Sequence, residues 1–176
     1  MLTPQEADVA YAIGEMRNDH SIERGLKQAG TYKRHPNSKH ADGMAAIAEA
    51  TVAKLIGRTW LANWERPDRG FDIQGCVGVK WTVRGRGCLI VKPRELDTVP
   101  QVLTVGEENP LRVVGWMMGW DAKRDWWWKT NTRDPAWFVP QECLHPIADL
   151  VRMLDRERAC NRIWSGGAGV VGGILG

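Results

Sequence analysis

The strongest constraint on this chain is a change of periodicity at Gly57. Before it, apolar residues recur at helical spacing. After it come short segments rich in Val, Ile and Trp, each bounded by Gly, Pro, Asn or Asp. Thr3, Pro4 and Glu6 supply an N-cap, a first-turn proline and a capping-box acid, which predicts a helix from Pro4 to about Asn18. A second, shorter helix is expected over Ser21 to Gln28, before the basic, Pro-containing stretch GTYKRHPNSKH forms a loop. Asp42 is placed to cap a third helix. Its apolar positions Met44, Ile47, Ala48, Leu55 and Ile56 follow the 3.6 period, and Gly57 ends it.

Strands are predicted within TWLANW, GFDI, CVGVKWTV, CLIVK, QVLTVGE, LRVVGWMMGW and AWFVP, with RGRG as a tight connection between two antiparallel strands. Pro146 opens a last helix through about Arg158, with Ile147, Leu150, Val151 and Leu154 on one face. Helices, a block of strands, then a helix predict an α/β (α+β) chain: a mixed sheet flanked by helices. No repeat of solenoid spacing is present. The expected organisation is one domain over 1–164, with an N-terminal helical arm and basic loop at 1–41, a core at 42–160, and a flexible glycine-rich tail at 165–176.

A chain of 176 residues with 43% hydrophobic content can bury a core without disulfides. The four cysteines, Cys76, Cys88, Cys143 and Cys160, form no CxxC pair, so they read as reduced, mostly buried thiols. No leader pattern and no run near the length of about 18 apolar residues is present, which predicts a cytoplasmic protein with no membrane contact. A net charge of +3 is compatible with DNA as a partner but does not require it.

Two acids and a lysine carry the chemistry. Glu49 rises from a helix face of small residues, Ala45, Ala46, Val52 and Ala53; as an ordinary surface acid it would pair with Lys54 or Arg58. Asp72 ends one β segment and Lys80 lies in the next, and a turn at Gln74 and Gly75 would bring them together across a hairpin. As a bare pair they would be a cross-strand salt bridge of little worth. Strand alternation puts Gly78 and Lys80 on one face and Val77, Val79 and Trp81 on the other.

A helix Glu, a strand-end Asp and a strand lysine in the pattern G-V-K resemble the PD-(D/E)xK nuclease superfamily, the restriction-endonuclease-like fold. The motif part of the resemblance spans about Gly43 to Lys92. Downstream, GCLIVKP, VLTVGEENPLRVVGWMMGWDAKRDWW and PAWFVPQECLHPI are similar to a group of uncharacterised phage and prophage proteins of that fold. The resemblance implies metal-dependent phosphodiester hydrolysis of DNA, with Glu49, Asp72 and Lys80 as catalytic residues. Asp72, the Val79 carbonyl and Glu49 would hold Mg²⁺, a hard cation that takes oxygen ligands. Lys80 would orient the attacking water. Gly78 stands where the motif has its second acid, which some groups of the fold replace with Gln. Gln74, two residues after Asp72, is a candidate compensating ligand, with Glu65 and Asp68 as further candidates; spacing selects none of them.

Arg84, Arg86, Lys92, Lys123 and Arg124 are candidate DNA contacts, Arg84 and Arg86 at a glycine-flanked hairpin tip. The ten tryptophans include the run Trp126, Trp127 and Trp128, suited to capping a sheet edge, stacking on an unpaired base or building a subunit interface. The alternative to an active nuclease is therefore a catalytically inactive nuclease-fold protein serving as a DNA- or protein-binding phage factor, for instance a homodimer that binds a host or defence protein.

Overall fold

The computed structural model describes residues 1–25, 38–60, 62, 72–73, 76–132 and 134–166, with 160–166 described by backbone alone. The first helix, α1 (Pro4–Glu23), carries the expected capping box: Glu6 N donates to Thr3 Oγ1, and Thr3 N donates to the Glu6 carboxylate at 2.6 Å. Lys54 binds that same carboxylate at 2.6 Å and, as its hydrogen-bond partner, holds the Glu6 pKa down to about 2. The helix does not stop at Asn18 as expected. Asn18 is buried and its amide donates to Asp42 on the next helix at 2.8 Å, while Ser21 bonds back to the Arg17 carbonyl, so both polar residues are satisfied inside a continuing helix. Of the second helix expected over Ser21–Gln28, the part through Glu23 is the end of α1, and residues 26–28 lie outside the described residues.

Helix α2 (Ser38–Leu55) begins one turn earlier than expected, because Asp42 is committed to Asn18 and is not a cap. It ends as predicted, with Gly57 at φ 61°. Leu55, assigned to the apolar face, is exposed. The two helices cross through Gly14: a Cβ there would stand 2.2 Å from the Asp42 carbonyl oxygen.

Six strands follow: β1 (Gly78–Thr82), β2 (Leu89–Val91), β3 (Pro100–Val105), β4 (Arg112–Met118), β5 (Trp128–Lys129) and β6 (Ala136–Val139). They form two three-stranded sheets, ordered β1-β3-β4 and β2-β6-β5, with β1 and β3 parallel and the other pairs antiparallel. This corrects the expected RGRG hairpin. β1 and β2 belong to different sheets, and the glycine turn between them is held by Gln141, whose amide donates to the Gly85 and Gly87 carbonyls. Of TWLANW, Thr59 and Trp60 form no strand; in GFDI, Ile73 makes an isolated bridge to Val77. Trp126 and Trp127 sit in a 3-10 turn, Asp125–Trp127, and only Trp128 enters β5.

A short helix, α3 (Gly119–Ala122), follows β4, and α4 (Ile147–Gly166) runs past its expected end near Arg158. The layers are set by alternation along β3, which is buried at all its positions. Val102, with Val77 and Val79, packs against Met44, Ile47 and Ala48 of α2 and Leu150 and Leu154 of α4. Leu103 and Val105 face the other way, into Leu89, Val91 and Val139 of the second sheet. The protein is therefore α+β, with helices on one face of a mixed sheet and a second sheet on the other. No helix among the described residues is long and apolar enough to cross a membrane. Cys143 is exposed and Cys76 and Cys88 are half-buried, which corrects the expected burial, although burial still pushes the Cys76 thiol up.

Because backbone meets backbone at the α1–α2 crossing, Gly14→Ala must force the helices apart. The expected cost is about 1–3 kcal/mol of unfolding free energy, read from urea denaturation. An unchanged midpoint would show that the crossing yields freely.

Candidate nucleic-acid interface

Asp72 sits beside β1. Its amide donates to the Val77 carbonyl at 3.0 Å, and its carboxylate accepts the Val79 N–H at 2.7 Å. The Val79 N–H therefore points away from β3. In a strand the carbonyl of the same residue points the same way, so Asp72 and the Val79 carbonyl share this edge. Gln74, Glu65 and Asp68 lie outside the described residues.

Lys80 does not meet Asp72 in an ion pair. Its ammonium binds Glu95 Oε1 at 2.6 Å, while Glu95 Oε2 accepts the Lys92 N–H at 2.9 Å. Glu95 was not among the residues singled out from the sequence. The available signal was KPRE, a lysine followed by a proline turn and an acid three residues on, which closes with the Glu95 N–H on the Lys92 carbonyl.

The motif's vacant position is not open space. Gly78 is in register with Gln101 of β3, and a Cβ on Gly78 would lie 2.4 Å from Gln101 Oε1. Gln101 has no solvent exposure, and among the described residues its Oε1 has no hydrogen-bond partner. Such a buried acceptor costs about 1–3 kcal/mol. A neutral amide from the neighbouring strand thus fills the place at which a motif carboxylate would begin.

Glu49 belongs elsewhere. It is buried between the first two helices, where Arg17 binds it at 2.6 Å and Trp60 Nε1 donates to it at 3.2 Å; of the expected partners, Lys54 binds Glu6 instead, and Arg58 Nε is buried with no hydrogen-bond partner among the described residues. The Arg17 guanidinium also lies over the Trp60 ring, 5.7 Å from its centroid. Helix α2 covers the Val79 and Val102 face of the sheet, whereas Lys80 shares the opposite face with its register partner Leu103. The structure brings Asp72 to Val79 but leaves Glu49 and Lys80 on opposite faces.

These residues do not fit a divalent ion. Glu49 is neutralised by Arg17, an amide stands at Gly78, and among the described residues only the Asp72 carboxylate and the Val79 carbonyl remain as first ligands, too few to fix an octahedral cation. Among the described residues no three His, Cys, Asp or Glu side chains converge.

What the fold does build is a basic recess of about 270 Å³ between β1 and the segment from Cys88 to Glu95. Lys80, Lys92, Arg94 and Glu95 are its charged lining, over a floor that includes Cys88, Ile90 and Leu103. Three cations face one carboxylate. Asp134 touches Lys92 at 3.4 Å, whereas Arg94 is exposed and makes no ion pair among the described residues. The other basic candidates divide. Arg84 and Arg86 are exposed at the turn beyond β1, and Arg124 is exposed but pairs with Asp121. Lys123 is bound to Asp97 and to the Glu95 and Pro93 carbonyls.

No protein-family model matches the chain, and neither a curated protein nor a solved structure matches it.

The Gly78–Gln101 contact predicts a coupled pair. Gly78→Ala alone should destabilise by about 1–3 kcal/mol, and most of that loss should vanish when Gln101→Ala is already present, as a double-mutant cycle in urea would measure. Strictly additive losses would mean that the amide moves aside without cost. Glu49→Ala leaves Arg17 buried without its carboxylate and should cost about 3–5 kcal/mol.

Proposed function

We propose that this protein binds the sugar-phosphate backbone of DNA through the recess of Lys80, Lys92 and Arg94, on a scaffold of the PD-(D/E)xK kind whose metal-ligand set has been dismantled. The observation that carries this reading is the partner of Lys80: the motif lysine is paired with Glu95 inside a cation-rich recess, and among the described residues no cluster of carboxylates surrounds it. An excess of fixed cations in a concave, partly desolvated site attracts phosphate oxygens and releases counterions from DNA. The recess retains the electrostatic half of a phosphodiesterase site. The carboxylate half, which would hold a metal and activate a water, is split between the two faces of the sheet or replaced by Gln101. The sequence motif and the mixed sheet support the restriction-endonuclease-like scaffold.

Two substitutions with opposite expected signs test the reading. Arg94→Ala removes an exposed cation and should weaken DNA binding for all sequences alike, lowering the slope of log K against log salt by about 0.9 on duplex. Glu95→Gln removes the recess's single negative charge, releases Lys80, and should tighten binding. Fluorescence anisotropy with labelled DNA over a salt series measures both. If neither variant moves the affinity, the recess is not the contact surface.

A further inference from the structure

Trp126 is 73% exposed and Trp120 is 49% exposed, the most exposed aromatic rings among the described large hydrophobic residues. Neither ring is loose. Trp126 stands edge-on against Trp127 at 5.7 Å, and Trp127 packs against the second core. Trp120 is fixed by its backbone N–H on the Asp97 carbonyl and by its indole N–H on Asp121 at 3.1 Å. The chain therefore maintains two large apolar faces in water on ordered backbone, at a cost in exposed area that no contact within the described residues recovers.

The segment from Lys92 to Asp97 joins Trp120 to the recess. On one side Lys92, Arg94 and Glu95 line the recess; on the other the Asp97 carbonyl holds Trp120, and the Pro93 and Glu95 carbonyls hold Lys123 of the same segment as the rings. Leu96, 43% exposed, extends the apolar surface from the same loop. Arg124 lies between the two tryptophans in sequence and is exposed. A cationic recess whose lining segment also anchors the exposed Trp120, with Trp126 a few residues further along the chain, matches a strand whose phosphates are continuous and whose bases are unpaired, because only an unpaired base offers its whole π-face for stacking.

We infer that the ligand is single-stranded DNA, its phosphates in the recess and its bases on Trp120 and Trp126. This rests on the phosphate-binding reading and adds the substrate class to it. A protein partner could also cover exposed indoles, but the cations of the shared loop favour a polyanion.

The test uses the full chain with a labelled single strand of about 12 nucleotides, a length within the range of single-strand binding sites, and with the matching duplex. The single strand should bind more tightly and quench tryptophan emission. Trp120→Ala and Trp126→Ala should each weaken single-strand binding by about fivefold or more, leave the weaker duplex binding unchanged, and be largely rescued by Trp→Phe. Because both rings are exposed, the variants should melt with wild type, which separates lost stacking from lost fold. If alanine at both positions leaves single-strand affinity unchanged while Arg94→Ala still weakens it, the inference fails, the indoles serve another partner such as a protein, and the phosphate reading stands. If neither DNA binds, both fail.

Discussion

The double-sided burial of β3 is the constraint on which the rest of the molecule depends. Pro100–Val105 has no exposed position, so its side chains must be covered on both faces: by the helices over Val102 and by the second sheet over Leu103 and Val105. β1 pairs with β3 in parallel and inherits the same two faces. Every side chain of β1 is thereby assigned to the helix layer or the sheet layer by the parity of its position.

That assignment decides the chemistry. Val77 and Val79 go to the helices, Gly78 and Lys80 to the side of the second sheet. Glu49, on a helix over the first face, is held there by Arg17 and cannot share a site with Lys80 across the sheet. On the second face the register sets Gln101 against Gly78, and the loop leaving β2 delivers Glu95 to Lys80. The same loop carries Arg94, exposed and without an ion pair among the described residues, and Asp97, whose carbonyl accepts the Trp120 backbone N–H. Each of these placements follows from packing β3.

Much of the scaffold was legible in the sequence because local signals and packing agree. The Thr3 capping box, the Gly57 stop and the alternation of GCVGVKWT appear where the pattern puts them. The misreadings share a cause, since long-range partners overrode local preference. Asn18 resembles a helix stop until Asp42 satisfies it, and RGRG resembles a hairpin until β2 finds β6 and not β1. That Asp72 lies against the segment of Val79 and Lys80 was readable from the chain, whereas Glu95 beside Lys80 and Gln101 behind Gly78 were not, because they come from other elements brought in by the tertiary fold. The partners of Lys123, the Pro93 carbonyl and Asp97, were likewise not readable, because they lie about thirty residues away in the chain.

The central claim is that the site engages phosphate without a metal. It is tested most directly by incubating the protein with supercoiled plasmid and single-stranded DNA, in Mg²⁺ and in chelator, and scoring binding and strand breakage in the same samples. The account predicts binding that chelator leaves unchanged and no breakage above control in Mg²⁺. Breakage that requires Mg²⁺ and disappears in Asp72→Ala and Lys80→Ala would contradict it.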